Sequence, residues 1–317
     1  MRKVGLFCII VSVVATFSMS CNRGVKVLRT DTPTSGYAEI AVDDCFAPII
    51  DEQINVFESA YPDASIVPHY LGEIDALNLL LQDSIRLVVA ARDLTENEKE
   101  SLRSRKLAPR TQKIAVDGIA LIINKENTDS LISVSALKKI MTGEISSWKE
   151  LNPQSKYTDI SVVFDNPNSS TVRYIKDSIN GGEPLGERLR AQNGNKAVLD
   201  YVSKTPNAMG VIGVNWISNP NDTTNLSFID NIRVMAVSQS ETPTVSNSFQ
   251  PFPAYLAIGE YPLRRDVYVI LSDLRGTLQA GFVNFVSGDI GQRIILKAGL
   301  VPATKPVRLI QQKENLF

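Results

Sequence analysis

Met141-Thr-Gly-Glu-Ile-Ser-Ser-Trp148-Lys-Glu-Leu151 is the stretch on which the reading of this chain turns. On its N-terminal side the spacing over Ser133–Met141 predicts a helix, and Gly143 supplies the residue that closes one. On its C-terminal side Ile160–Phe164 reads as a strand, followed by a helix from about Ser170. The same alternation continues outward. Upstream come a strand at Tyr37–Val42, a helix marked by Phe46, Ile49, Ile50, Ile54, Phe57 and Tyr61, and a strand at Ser65–Tyr70. A helix at Ile74–Leu81 and a continuous apolar strand at Ile85–Ala91 follow. Thr95 and Glu98 form a capping box for the next helix, and Ile114–Asn124 is a long strand. Downstream come a helix at Asn195–Lys204 and strands at Met209–Val214, Phe252–Ile258 and Val267–Leu271. Helices at Leu274–Val286 and Ile290–Ala298 close the chain. Such alternation implies an α/β fold with mostly parallel sheets. Periodicity leaves open whether it is one doubly wound domain or two α/β lobes.

Before any fold can be read, the N-terminus has to be set aside. Arg2 and Lys3 precede the apolar run Val4–Phe17, too short to span a bilayer as a helix. Ser18, Met19 and Ser20 then lead into Cys21. Residues 1–20 therefore read as a secretory signal peptide, and the cysteine at its end resembles the acylated residue of bacterial lipoproteins. The chain of 317 residues has net charge −1. Without Arg2 and Lys3 it keeps 31 basic and 34 acidic residues, net −3. That offers no basic field for nucleic acid. Cys8 leaves with the signal and Cys21 carries lipid, so Cys45 stands alone and no intrachain disulfide can form. Residues 21–36 read as lipid anchor and flexible tether.

The segment 141–151 resembles the "TG-x-I-x-x-W-x-x-L" segment of PstS-type phosphate-binding proteins of ABC transporters. Four further stretches agree in order. Ile114–Asn124 (IAVDGIALIIN) is similar to the strand entering their second lobe, and Thr205–Val214 (TPNAMGVIGV) to their "TPGAIGYV" turn. Tyr261–Leu263 is similar to their "YPL" return, and Phe282–Pro302 to their terminal helix pair. The resemblance covers about residues 37–303. It implies a type 2 periplasmic-binding-protein-like α/β fold, two α/β lobes joined by two crossovers around a central cleft. Mapped here, lobe 1 comprises 37–113 and 250–317, and lobe 2 comprises 114–249. It also implies hinge closure on the ligand.

An oxyanion in a cleft needs many hydrogen-bond donors. Asp44, Cys45 and Phe46, between the first strand and helix, are the first candidates. The family usually offers Ser and Thr there. Asp44 serves either as a helix cap or as the acceptor for a protonated phosphate oxygen. Arg92, at a strand's carboxyl end, is either an anion clamp or a surface arginine paired with Asp93 or Glu96. Asn168, Ser169, Ser170 and Thr171 resemble the family's "R-x-D-G-S-G-T" loop at a helix start, with a plain cap as the alternative. Asp165 stands where many members have arginine, and Arg92 or Arg173 could replace the missing charge. Asn195 opens another helix beside the cleft. His69 reads as structural or exposed.

No P-loop, dinucleotide glycine motif or cysteine cluster occurs, and no acid/base pair is evident. The expected protein is not an enzyme and needs neither cofactor nor metal. The resemblance implies a monomeric periplasmic lipoprotein that captures phosphate and delivers it to an ABC permease. Another oxyanion or small anion, or a surface or assembly lipoprotein on the same fold, are the alternatives.

Overall fold

Strand β1 (Gly36–Asp43) and strand β2 (Ala64–Leu71) pair in parallel, Gly36 opposite Ala64 and Asp43 opposite Leu71. The helix Ala47–Ala60 joins them, with its buried Ile50, Ile54 and Phe57 laid along one side. The computed structural model describes residues 31–219, 221–222, 227–272 and 276–305. The expected signal peptide, the lipidation at Cys21 and the tether up to residue 30 lie outside the described residues.

The strands that follow are β3 (Leu87–Ala90), β4 (Arg110–Asn124), β5 (Leu131–Ser133), β6 (Ser161–Phe164), β7 (Arg190–Ala191) and β8 (Ala208–Gly213). The last are β9 (Ile232–Val234), β10 (Ala236–Ser238), β11 (Arg264–Leu271) and β12 (Val301–Pro302). The main sheet runs β2-β1-β3-β11-β4-β8-β6-β7, with β9 and β12 also on β4, while β5 and β10 pair separately. Its flanks are parallel, as the alternation predicts, but its centre is not. β11 runs antiparallel to β3 and β4, and β4 runs antiparallel to β8, β9 and β12. The parallel pairs are joined through helices, whereas β11 returns from far along the chain to lie antiparallel between β3 and β4, a placement that periodicity cannot show.

β4 holds the two halves of the sheet together. Its residues Arg110–Gly118 pair with β11, and Ile119–Ile123 pair with β8. Helices cover both faces. Phe57 meets Phe282 and Phe285 edge-on at 5.5 and 5.3 Å on one side. Leu77, Leu80 and Leu102 fill the other side. Trp148, from the opening motif, is fully buried and donates its ring N–H to Asn207 O at 3.0 Å. From Asp31 onward the chain is one compact unit.

Local expectations hold where caps decide. Ser133 caps the helix Val134–Thr142 and Gly143 ends it. Thr95 and Glu98 form the reciprocal capping box. Two expectations are corrected. Phe252–Ile258 is a helix over Pro253–Ile258, not a strand. Pro253 has no N–H for a ladder but suits the first helical turn, and Gly259 closes the helix in the left-handed region. The end of the expected tether is also built into the fold. Thr32 and Ser35 close a turn, Gly36 N donates to Asp63 O at 2.9 Å, and Leu278 N donates to Asp31 Oδ2 at 3.3 Å. Pro33 sits so near Gly281 that a Cβ there would stand 1.8 Å from its carbonyl oxygen.

Candidate functional site

The sheet register sets the centre of the site. On β11 and β4, Arg265 stands opposite Asp117. An acid in the interior of an otherwise apolar strand needs an opposite charge, and the cross-strand position supplies it. Arg265 Nε donates to Asp117 Oδ2 at 3.0 Å, and the pair is 3% and 0% exposed at its side chains. The guanidinium carbon lies 5.2 Å above the Phe46 ring, a cation–π contact. Arg265 Nη1 donates to Ser170 Oγ at 2.6 Å, while Nη2 lies 3.0 Å from Asp117 Oδ2, close enough for the ion pair but not aligned for a hydrogen bond.

Around Arg265 two segments meet. One is the end of β1 with the short 3-10 turn Asp44–Phe46. Its Cys45 carbonyl is held by Asn215 Nδ2 at 2.8 Å and by Trp216 Nε1 at 3.0 Å. The other is the start of the helix Ser170–Tyr174, where Ser169 is the cap and accepts from Val172 N. Ser170 donates to Asp43 Oδ2. Ser169 Oγ donates to Asp165 Oδ1 at 2.7 Å. Cys45 Sγ donates to Asp165 Oδ2 at 3.2 Å and meets Thr171 Oγ1 at 2.9 Å. Asn195 Nδ2 reaches Asp44 Oδ2 at 2.7 Å and Asp165 Oδ2 at 3.3 Å. The donors of the site thus converge on carboxylate oxygens, the same acceptor chemistry that an inorganic oxyanion presents.

Burial governs the electrostatics. Burial, then the nearby Glu73, pushes Asp43 up to about 7, against the pull of Arg265 and the Ser170 hydroxyl. Burial also raises Asp165 and Asp117, although Ser169 in one case and Arg265 in the other favour the ionised form. The Cys45 thiol is driven well above its usual range by burial and by Asp165, so it is a neutral donor rather than a nucleophile. Burial pulls Arg265 down, but Asp117 and then Asp43 outweigh it and the guanidinium stays charged.

Cys45, Phe46, Ser169, Ser170, Thr171 and Asn195 lie together around Arg265 and Asp165, and Asp44 touches the group through Asn195. Three expectations change. Asp43, one residue earlier, is the cap: it accepts from Cys45 N at 3.3 Å. Asn168 is exposed and turns to the opposite wall, where its amide donates to Asp75 at 3.1 Å and its carbonyl accepts from Ile74 N. That approach needs Gly72, since a Cβ there would lie 2.9 Å from Asn168 Cβ. Arg92 does not reach the cluster. It forms a two-pronged pair with Glu98 at 2.8 and 2.8 Å and donates to its neighbour's carbonyl, Asp93 O. Glu98 is a different partner from the Asp93 or Glu96 considered above. Arg173 is paired with the fully buried Glu73. The central cation Arg265 was missed. Its signal was present: Asp117 interrupts an apolar run, and Arg265 lies two residues beyond Tyr261-Pro-Leu263. His69 is exposed and pairs with Glu39 at 2.8 Å. Among the described residues no cluster of His, Cys, Asp or Glu is placed to hold a metal ion, and no helix is long and apolar enough to cross a membrane.

Comparison with known proteins supports the same architecture. The chain is 25% identical over 279 residues to the phosphate-binding protein PstS of Bacillus subtilis, covering 87% of this chain and 84% of that one. It is 24% identical over 264 residues to the PstS of Staphylococcus aureus strain USA300, covering 81% and 75%. A substrate-binding protein from Clostridium perfringens, crystallised with bound phosphate, superposes with TM-score 0.70 at 22% identity, over 84% of this chain and all of that one. A phosphate transport receptor from Vibrio cholerae gives 0.61 at 19% identity, over 84% and 100%. The model of the PBP superfamily domain matches residues 29–289, and with the mixed sheet of the type 2 periplasmic phosphate-binding structures around Arg265, the chain belongs to that superfamily of binding proteins.

Proposed function

We propose that this chain captures phosphate at Arg265 and hands it to an ABC-type permease. The observation that carries the reading is the buried guanidinium of Arg265, which gives Nη1 to Ser170 and keeps Nη2 3.0 Å from Asp117 Oδ2 without a well-formed hydrogen bond, set beside the Ser169 and Ser170 hydroxyls, which already donate to carboxylate oxygens, and the Thr171 hydroxyl at Cys45. Removing a buried donor from water without a partner costs about 1–3 kcal/mol, and an oxyanion supplies the acceptor. The names of the relatives support phosphate as that oxyanion. Asp43 gives selectivity in this scheme, because phosphate near neutral pH carries an O–H for a carboxylate to accept and sulfate carries none. Asp44 is only half-buried, whereas Asp43 and Asp165 are fully buried, and the role falls to them.

Isothermal titration with phosphate, sulfate and molybdate tests it. Phosphate should bind, sulfate should bind much more weakly, and Arg265→Ala should bind neither. Binding of none of them by the folded wild-type chain would remove the assignment.

Two further parts of the reading concern motion and place. The halves 37–113 with 250–317 and 114–249 act as lobes that close on the ligand, so phosphate should reduce the radius of gyration in solution scattering. Binding without compaction would argue against hinge closure. Lipid at Cys21 holds the protein to the cell envelope, and Cys21→Ser should abolish lipid labelling of the chain.

A further inference from the structure

The charges around Arg265 do not balance. Asp43, Glu73, Asp117 and Asp165 are all buried, and the cations that face them are Arg265 and Arg173. Arg265 is matched with Asp117 and Arg173 with Glu73, which leaves Asp43 and Asp165 without an ion pair among the described residues. Their partners are neutral. Asp43 accepts from Cys45 N at 3.3 Å and from the Ser170 hydroxyl. Asp165 accepts from Ser169 Oγ at 2.7 Å, Cys45 Sγ at 3.2 Å and Asn195 Nδ2 at 3.3 Å. Both belong to one network with the guanidinium. Arg265 Nη1 donates to Ser170 Oγ, which donates to Asp43, and the preceding residue, Ser169, donates to Asp165. Of the other ionisable groups nearby, Asp44 is half-buried and held by Asn195, and the Cys45 thiol is neutral. The single histidine, His69, is engaged with Glu39 on the exposed surface.

A doubly charged anion brought here meets two carboxylates with no cation left to offset them. An O–H turned toward each carboxylate removes the conflict, because an ionised carboxyl only accepts. Sulfate brings no O–H, dibasic phosphate brings one, and monobasic phosphate brings two with a single charge. We infer that Asp43 and Asp165 act together as the acceptors that set the ionic form captured: singly charged phosphate, with one O–H directed to each carboxyl. The inference rests on the anion-binding reading of Arg265 given above. The Ser169 hydroxyl and the Cys45 thiol, whose hydrogens rotate, turn from Asp165 to the bare oxygens of the ligand. Burial raises both carboxyls, Asp43 to about 7, so a proton shared between carboxyl and phosphate oxygen is retained at neutral pH. Above neutrality the dibasic ion dominates in solution, and capture then takes up about one proton per phosphate.

Titration calorimetry with inorganic phosphate from about pH 6 to about pH 8.5, repeated in buffers of different ionisation enthalpy, counts that proton. In the wild type the affinity for total phosphate should fall about tenfold per pH unit above neutrality, with uptake of about one proton. Asp43→Asn and Asp165→Asn keep the shape of the side chain and remove one charge. Each should flatten the profile, bring the uptake toward zero and bind phosphate more tightly than the wild type at the alkaline end. A purely structural role would shift affinity alike at every pH. Phosphate binding by the wild type with a flat profile and no proton uptake overturns the inference and leaves phosphate capture standing. That result reads the wild type alone, so it does not depend on the folding of the variants. A steep profile retained by either folded variant also overturns the pairing of the two carboxyls. Absence of phosphate binding by the folded wild type at every pH overturns both readings.

Discussion

Arg265 and Arg92 belong to neighbouring strands, on β11 and just beyond β3, yet their surroundings share little. Arg265 is 6% exposed, faces Asp117 across the ladder and holds Nη2 in the ion pair but outside a well-formed hydrogen bond. The Arg92 side chain is 24% exposed and closes on Glu98, the third residue of the adjoining helix. The first ion pair is fixed by sheet register between residues 148 positions apart. The second is local, six positions apart, and satisfies itself. A strand-end arginine near an acidic helix start finds its partner before it can serve a ligand. An arginine inside the sheet has a partner imposed on it by register, and its five N–H groups outnumber what that one carboxylate takes.

The contrast breaks most visibly at Arg265. Arg265→Ala would leave Asp117 as a buried, uncompensated carboxylate and cost about 3–5 kcal/mol. Phosphate binding should vanish with it. Urea denaturation and calorimetry measure the two losses, and Arg265→Lys, which keeps the charge but not the fork, should recover stability more than affinity.

The electrostatic side of the buried region shows in its pH dependence. The Asp43 carboxyl titrates near 3.8 when unfolded and at about 7 in the fold. Between those values the folded chain holds a proton that the unfolded chain has released, so the stability contributed by protonated Asp43 is largest at low pH and is lost as pH rises through 7. From pH 5 to 7 the loss should be about 2 kcal/mol. Asp43→Asn should flatten that slope. Parallel slopes in wild type and variant would identify another titrating group.

A sharper comparison comes from the hydroxyls, which serve the buried side alone. Replacing Ser169, Ser170 and Thr171 together by Ala should weaken phosphate binding about a hundredfold, at roughly 0.5–1.5 kcal/mol for each lost bond. Unaltered affinity in the folded triple variant would remove this loop from the site. At the solvated end, Arg92→Ala should cost less than about 1 kcal/mol of stability and leave phosphate affinity within about twofold, as for a partly exposed ion pair. A large loss there would reinstate Arg92 as an anion clamp.

Much of the scaffold was legible because its signals are local. The capping box at Thr95 and Glu98, the stop at Gly143 and the apolar face of Ala47–Ala60 each depend on residues a few positions apart. The hydroxyl loop 169–171 was legible for the same reason, since Ser169 caps the helix that it opens. The misreadings were of two kinds. Phe252–Ile258 is apolar enough for either element, and Pro253 decides for helix. The cap at the first turn fell on Asp43 rather than Asp44, because two consecutive acids look alike until one is buried. Asn168 has the composition of a binding loop, yet the close approach at Gly72 directs it to Asp75.

The sequence by itself determined the order of elements, their caps and the residues that could donate to an anion, because these follow from patterns within one or two turns. Only the tertiary structure decided which charges meet. Cys45 and Asp165 are 120 positions apart, Asp43 and Ser170 are 127 apart, and Asp117 and Arg265 are 148 apart. Those encounters depend on the antiparallel register of β4 against β11 and on the closeness of the two cleft walls, where burial rather than residue type sets each charge.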